Sequence, residues 1–131
     1  MTQCLIVDAS RVIRRVTARI LEDLKIEALE AEDGSVALDG CRHTMPDAIL
    51  LDAHTPSVSA IEFLRVLRRE EGGTTPVVVF CTTENDADAI TAAVTAGAND
   101  FLLKPYDRES LENKLAELGL LGVDRAEHAR L

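Results

Sequence analysis

Tryptophan is absent from the 131-residue chain, tyrosine occurs once and phenylalanine three times, so aromatic packing cannot build the core. What remains is aliphatic and alanine-rich, and a hydrophobic content of 47% separates the chain from disordered sequences, which lack apolar residues to bury. Basic residues are outnumbered, 14 Lys and Arg against 23 Asp and Glu, giving a net charge of −9. A surface of that sign repels phosphate backbones and anionic lipid heads, which disfavours nucleic-acid binding. There is no run of about 18 apolar residues to span a bilayer, and residues 1–20 lack the basic, apolar, small-residue order of a signal peptide. A cytosolic protein without membrane insertion is expected. Cysteine is scarce: Cys4, Cys41 and Cys81 are odd in number, form no CxxC pair, and read as buried reduced thiols with no chemistry of their own. Missing too are GxGxxG, GxxxxGK[ST] and any similar glycine-rich loop, which removes the cradle of a dinucleotide or nucleoside triphosphate. No internal repeat or low-complexity segment occurs.

What is present is an alternation. The runs CLIV (4–7), AILL (48–51), VVVFC (77–81) and FLL (101–103) are short and continuously apolar, as in parallel strands covered by helices on both faces. A fifth strand, around residues 27–30 (EALE), has no pattern of its own and is expected only because the alternation requires one. Helical spacing separates the runs: Val12, Val16, Ile20 and Leu24; then Val36, Ala37 and Cys41; then Ile61, Leu64 and Leu67. Ile90, Ala93 and Val94 mark a fourth helix, with Asn85 or Thr83 as N-cap, and Leu111, Leu115 and Leu118 a fifth, opened by Asp107 and closed by Gly119. Five β-α units in 131 residues make one α/β domain: a doubly wound, five-stranded parallel sheet in the order 2-1-3-4-5.

Ligands of such sheets bind at the carboxyl ends of the strands. There the chain places Asp8 after the first strand, Asp52 after the third, Cys81-Thr82-Thr83 after the fourth and Leu103-Lys104-Pro105 after the fifth. Two neighbouring carboxylates call for a cation, and hard oxygen donors suit Mg²⁺. A phosphoryl group would complete the charge balance, its oxygens shared by the metal, the Lys104 ammonium and the Thr82 hydroxyl, with Asp52 as the nucleophile that becomes an acyl phosphate. Taken singly these residues have plainer readings: Asp52 as a turn cap, Asp8 as a helix cap with Ser10, Phe101 as core, and His54 as an exposed turn residue. The Arg65, Arg68 and Arg69 cluster reads as a solvated helix end, and His43 and His128 have no constellation around them.

The set VDAS, LLDAHTP, FCTT and LLKP resembles the receiver domain of two-component response regulators, the CheY-like family with a flavodoxin-like fold. The resemblance covers about residues 3–118; residues 1–118 are then the domain and 119–131 a short C-terminal tail. It implies Asp52 as phosphoacceptor, Thr82 as switch hydroxyl, Phe101 as partner switch aromatic and Lys104 as the cation on the phosphoryl group. Metal ligation would fall to Asp8, Asp52 and the His54 backbone carbonyl. EAEDG (30–34) and AGAND (96–100) resemble the family's joining segments. The implied function is that of a stand-alone regulator, not an enzyme, phosphorylated by a histidine kinase or phosphotransfer protein. Its output is binding to a downstream target protein through the fourth helix, fifth strand and fifth helix. The chain departs from the family where a second acid usually follows the first strand, since Ala9 stands there, so weak Mg²⁺ binding is expected. Thr55 precedes Pro56 in place of Met, and Ala60 replaces a glycine; His54 and Glu84 are positions that could tune the lifetime of the acyl phosphate. Two alternatives remain at this level. One is a degenerate receiver that binds partners without phosphorylation, Arg11 neutralising Asp52 in place of metal. The other is a haloacid-dehalogenase-like phosphohydrolase, which needs a second acid where His54 stands.

Overall fold

A computed structural model describes residues 1–83 and 86–121. Its elements are β1 (Gln3–Val7), α1 (Arg11–Asp23), β2 (Glu27–Ala31), α2 (Gly34–His43), β3 (Ala48–Asp52), α3 (Ala60–Arg69), β4 (Val77–Thr82), α4 (Ala87–Ala96), β5 (Asp100–Leu103) and α5 (Arg108–Glu117). All strand pairings are parallel and the sheet order is β2-β1-β3-β4-β5, as the alternation predicts.

Because side chains alternate across a strand, the apolar runs feed two cores. Leu5, Val7, Ile49, Leu51, Val78 and Phe80 point to the face covered by α2, α3 and α4, where Leu38, Phe63, Leu64, Leu67 and Ala93 meet them. Cys4, Ile6, Leu50, Val79, Cys81 and Leu102 point to the other, covered by Ile20 and Leu21 of α1 and Leu111 and Leu115 of α5. The three thiols are free and buried; burial raises Cys4 to about 12 and Cys41 to about 11, so neither is a thiolate at neutral pH. No helix among the described residues is long and apolar enough to cross a membrane.

Local chemistry sets the helix starts. Ser10, Asp33, Ser59 and Asp107 each accept a backbone N–H three residues on, and Asp86 accepts those of Asp88 and Ala89. Asp86 thus caps α4; the expected cap was Asn85 or Thr83, but Thr83 precedes the helix by too much and Asn85 lies outside the described residues. A second correction concerns α1. Val12 and Val16 are 72% and 56% exposed, and the buried face is Thr17, Ala18, Ile20 and Leu21. Strict four-residue spacing drifts by about 40° per step around a helix of 3.6 residues per turn, so Val12 and Leu24 cannot share a narrow stripe. The weak fifth strand is real: β2 pairs along its whole length with β1, Gln3 opposite Glu27 to Val7 opposite Ala31.

Candidate phosphoryl-accepting site

Parallel pairing brings the strand ends to one rim. Val7 lies opposite Leu51 and Asp52 opposite Cys81, so Asp8 and Asp52 emerge on adjacent strands, while Thr82 lies opposite Leu103, next to Lys104. From β5, the Lys104 ammonium returns across the rim to donate to Asp8 Oδ2 at 2.8 Å and to Asp52 Oδ1 at 3.0 Å. The side chains of Lys104, Asp8 and Asp52 are only 12%, 9% and 13% exposed, so water screens this three-charge cluster poorly. Burial works against the ammonium, but hydrogen bonds and charge from both carboxylates prevail and hold its pKa above the ordinary lysine value.

Backbone contacts fix each partner. The Lys104 amide donates to Thr82 O at 2.8 Å, and the Lys104-Pro105 peptide is cis. The Asp8 amide donates to Ala31 O, and its other carboxylate oxygen accepts the Ser10 amide at 2.9 Å. Arg14 Nη1 donates to the Asp8 carbonyl at 2.7 Å, while its Nε is paired with Glu30. Arg14 is therefore the guanidinium beside the rim. Arg11, expected as a possible counter-charge to Asp52, is exposed and makes no ion pair among the described residues; Lys104 takes that role because β5 delivers it directly.

The loop after Asp52 is latched to α2. Gly34 N donates to Pro56 O, Ser35 N to Ser57 Oγ at 3.2 Å, and Ser57 Oγ to Asp33 Oδ1 at 3.1 Å. Gly34 is required there: a Cβ would sit 2.9 Å from Val58 O and 3.0 Å from Val58 Cβ. Ser57 adopts φ 67, and Thr55 is buried with its hydroxyl toward the Pro56 and Val58 carbonyls. Thr82 is buried beside a cavity of about 220 Å³ whose lining includes Ala53, His54, Ser59 and Asp86. His54 itself is exposed, and Glu84 lies outside the described residues. Phe101 is half-buried against the core beneath α2, α3 and α4, with Lys114 Nζ 5.9 Å from its ring centroid and paired to Asp100.

For a hard cation the donors the structure brings together at the rim are the carboxylates of Asp8 and Asp52, both held by Lys104. Among the described residues no three His, Cys, Asp or Glu side chains converge on one point, because Ala9 offers no oxygen. Two carboxylates match the small protein ligand set with which Mg²⁺ is commonly held. The residues fit the ion, with little to spare.

Comparison with known proteins decides the family. The family model described as response regulator receiver domain matches residues 4–116. The chain belongs to that family. It is 31% identical over 115 residues to the chemotaxis protein CheY of Pseudomonas aeruginosa, covering 87% of this chain and 93% of that one. With the CAI-1 autoinducer sensor kinase/phosphatase CqsS of Vibrio cholerae the identity is 35% over 114 residues, 86% of this chain but 16% of the kinase. Against the KDP operon transcriptional regulatory protein KdpE of Escherichia coli it is 36%, covering 50% of that protein. This receiver domain therefore spans half or less of several curated relatives and nearly all of another. Its backbone superposes on the chemotaxis response regulator CheY4 of Vibrio cholerae with TM-score 0.85, 28% identity and coverage of 89% and 98%. The receiver domain of a Pseudomonas aeruginosa sensor histidine kinase, solved with a magnesium ion in its active-site cleft, superposes with TM-score 0.81, 26% identity and coverage of 88% and 95%.

Sequence reasoning missed Arg14, the Asp33-Ser57-Ser35 latch and the Thr17-Tyr106 hydroxyl pair at 2.9 Å behind the rim. Of these only the latch left a signal, in the glycine of EAEDG.

Proposed function

We propose that the protein receives a phosphoryl group on Asp52 in a two-component phosphorelay and thereby changes its affinity for a target protein. The supporting observation is the Lys104 ammonium poised between Asp8 and Asp52, both within 3.0 Å. An Asp52 carboxylate oxygen attacks the phosphorus of a phosphohistidine on a histidine kinase or phosphotransfer protein. The new O–P bond forms as the P–N bond breaks, and the leaving imidazole nitrogen keeps the bond's electrons and takes up a proton. Lys104 contributes the fixed positive charge that the transferring oxygens need. Asp8, Asp52 and the His54 carbonyl would hold Mg²⁺, which would supply further shielding of that charge, and Ala9, with no oxygen to offer, would leave it weakly bound. The Thr82 hydroxyl then meets the phosphoryl group and its loop moves, with Phe101 following.

The target docks on α4, β5 and α5, where Val94 and Leu103 are 49% and 42% exposed. Residues 1–118 act as the switching unit; of the tail expected over 119–131, Leu120 packs into the core and residues 122–131 lie outside the described residues. The partners are proteins rather than nucleic acid. A degenerate receiver is the second reading, favoured by Ala9 and by the closure of the acid pair on Lys104. Intact mass after incubation with a small phosphodonor and Mg²⁺ separates them. Addition of one phosphoryl group to the natural chain and none to Asp52→Asn is expected; no addition to the natural chain leaves the degenerate reading.

A further inference from the structure

Between α3 and α4 lies a cavity of about 490 Å³ lined by Ile61, Arg65, Arg68, Arg69, Ala92, Thr95 and Ala96. Three guanidinium groups thus share one groove on a chain whose net charge is −9. Arg68 forms its floor. It donates to the carbonyls of Gly97, Gly73 and Pro76 and to Asn99 Oδ1, at 2.7 to 3.0 Å, and none of these acceptors is a carboxylate. Arg65 and Arg69 are exposed on the wall, and neither forms a hydrogen bond or ion pair among the described residues. The adjacent acid on that stretch, Glu70, is engaged by Arg42 of α2 at 2.8 Å, and Glu62, Glu71 and Asp88 do not line the groove. Arg14, Arg15, Arg19, Arg42 and Arg108 all pair with acids. Against that background the groove is a concentration of uncompensated positive charge over an apolar seam of Ile61, Ala92 and Ala96.

The groove is also continuous with the rim. The 220 Å³ cavity beside Thr82 and His54 shares Ile61 and Ala92 with it, so one trough follows the α3–α4 seam from the phosphoacceptor loop to Arg69; the acid in its wall, Asp86, lies at the far end from Arg65 and Arg69 in sequence and is engaged as the N-cap of α4. A compact anion would use only the arginines. A helical or extended segment with carboxylates on one side and small apolar residues on the other would use the arginines and the seam together. We infer that the α3–α4 groove docks an acidic, amphipathic peptide segment of a partner protein, its carboxylates on Arg65 and Arg69 and its apolar side on Ile61, Ala92 and Ala96.

The test uses the full chain, isotope-labelled, titrated at low ionic strength with a short amphipathic peptide bearing glutamates one helical turn apart between leucines. Controls are the same peptide with glutamine for glutamate, and inorganic phosphate. Amide shifts confined to residues 61–69 and 92–97 are expected. With two exposed charge pairs lost, Arg65→Glu with Arg69→Glu should weaken binding roughly tenfold, and the glutamine peptide should lose a similar factor. Rising salt should weaken the glutamate peptide alone. Should the double variant not fold, Arg69→Gln together with the salt titration carries the same expectation on a smaller scale. Equal binding by the glutamine peptide, undiminished binding by the variants, shifts elsewhere, or inorganic phosphate reproducing the shifts and displacing the peptide would each overturn the inference. Phosphorylation of Asp52 by a small donor should be unchanged in the arginine variants, so failure of the docking and failure of the phosphoacceptor reading are separate results.

Discussion

Replacing Lys104 by methionine keeps an unbranched apolar stem and removes the ammonium that separates Asp8 from Asp52. The carboxylate oxygens lie 2.8 and 3.0 Å from that nitrogen, so without it two negative charges face each other across no more than about 6 Å. At an effective dielectric near 20 their repulsion is on the order of 3 kcal/mol. Side-chain exposures of 9% and 13% let some water relax it, leaving an expected loss of about 1–3 kcal/mol at pH 8. The pH dependence follows from the sign. In the natural chain the folded-state pKa of Lys104 is raised, so the ion pair's stabilisation is fully present below the unfolded lysine value and is lost only as pH climbs through the higher folded one. Between pH 5 and 8 the natural chain draws the same support from it. In Lys104→Met the repulsion between the two carboxylates is relieved as protons neutralise them, so the stability deficit shrinks as pH falls. With no tryptophan to report unfolding, urea midpoints followed by far-ultraviolet circular dichroism at pH 5 and pH 8 give the comparison. An unchanged midpoint at pH 8, or a deficit that widens toward pH 5, would refute the account of the cluster.

Ala9→Asp should restore a hard ligand, tighten Mg²⁺ binding by on the order of tenfold or more and speed phosphorylation of Asp52, while lowering metal-free stability; calorimetric titration of both proteins checks this, and equal affinities would show that Ala9 is not the limitation. Gly34→Ala pushes a methyl against the Val58 backbone at 2.9 Å, so a loss of about 1–3 kcal/mol in urea and slower Asp52 phosphorylation are expected from displacement of residues 55–58. Arg68→Met strands the carbonyls of Gly97, Gly73 and Pro76, and a loss of about 2–4 kcal/mol is expected, read by thermal or urea unfolding; a loss below about 0.5 kcal/mol would mean that water replaces the guanidinium freely.

The sheet order and element sequence were legible because four strands are continuous apolar runs, a pattern that only burial on both faces explains. The edge strand β2, with Glu27 and Glu30 in it, carries no such pattern: an edge strand is half solvated and is recognised by what pairs with it, not by its composition. The stripe on α1 was misassigned through a spacing that looks helical in a line of letters but rotates on the real helix, and Val12 and Val16 are consequently outside. Gly97, part of AGAND, is legible only afterwards: it combines φ 128 with an Arg68 side chain where a Cβ would be 2.8 Å from Cγ.

At the site, Asp8, Asp52 and Lys104 could be picked out because each follows an apolar run, and parallel register carries such residues to one rim whatever the loops do. Arg14 and Arg68 could not. Each is one arginine among several on its helix, and each is singled out by donating to carbonyls, which leave no mark in sequence because every residue has one. The same fact separates the arginines' duties on α3. Arg68, expected to be solvated with its neighbours, turns inward because three loop carbonyls and Asn99 converge where it points, and its partial burial lowers its pKa without discharging it. Its charge, met only by dipoles, is left uncancelled beneath Arg65 and Arg69. An acidic protein that keeps three guanidinium groups on one groove, none of them paired with a carboxylate among the described residues, concentrates positive charge there against a net charge of −9.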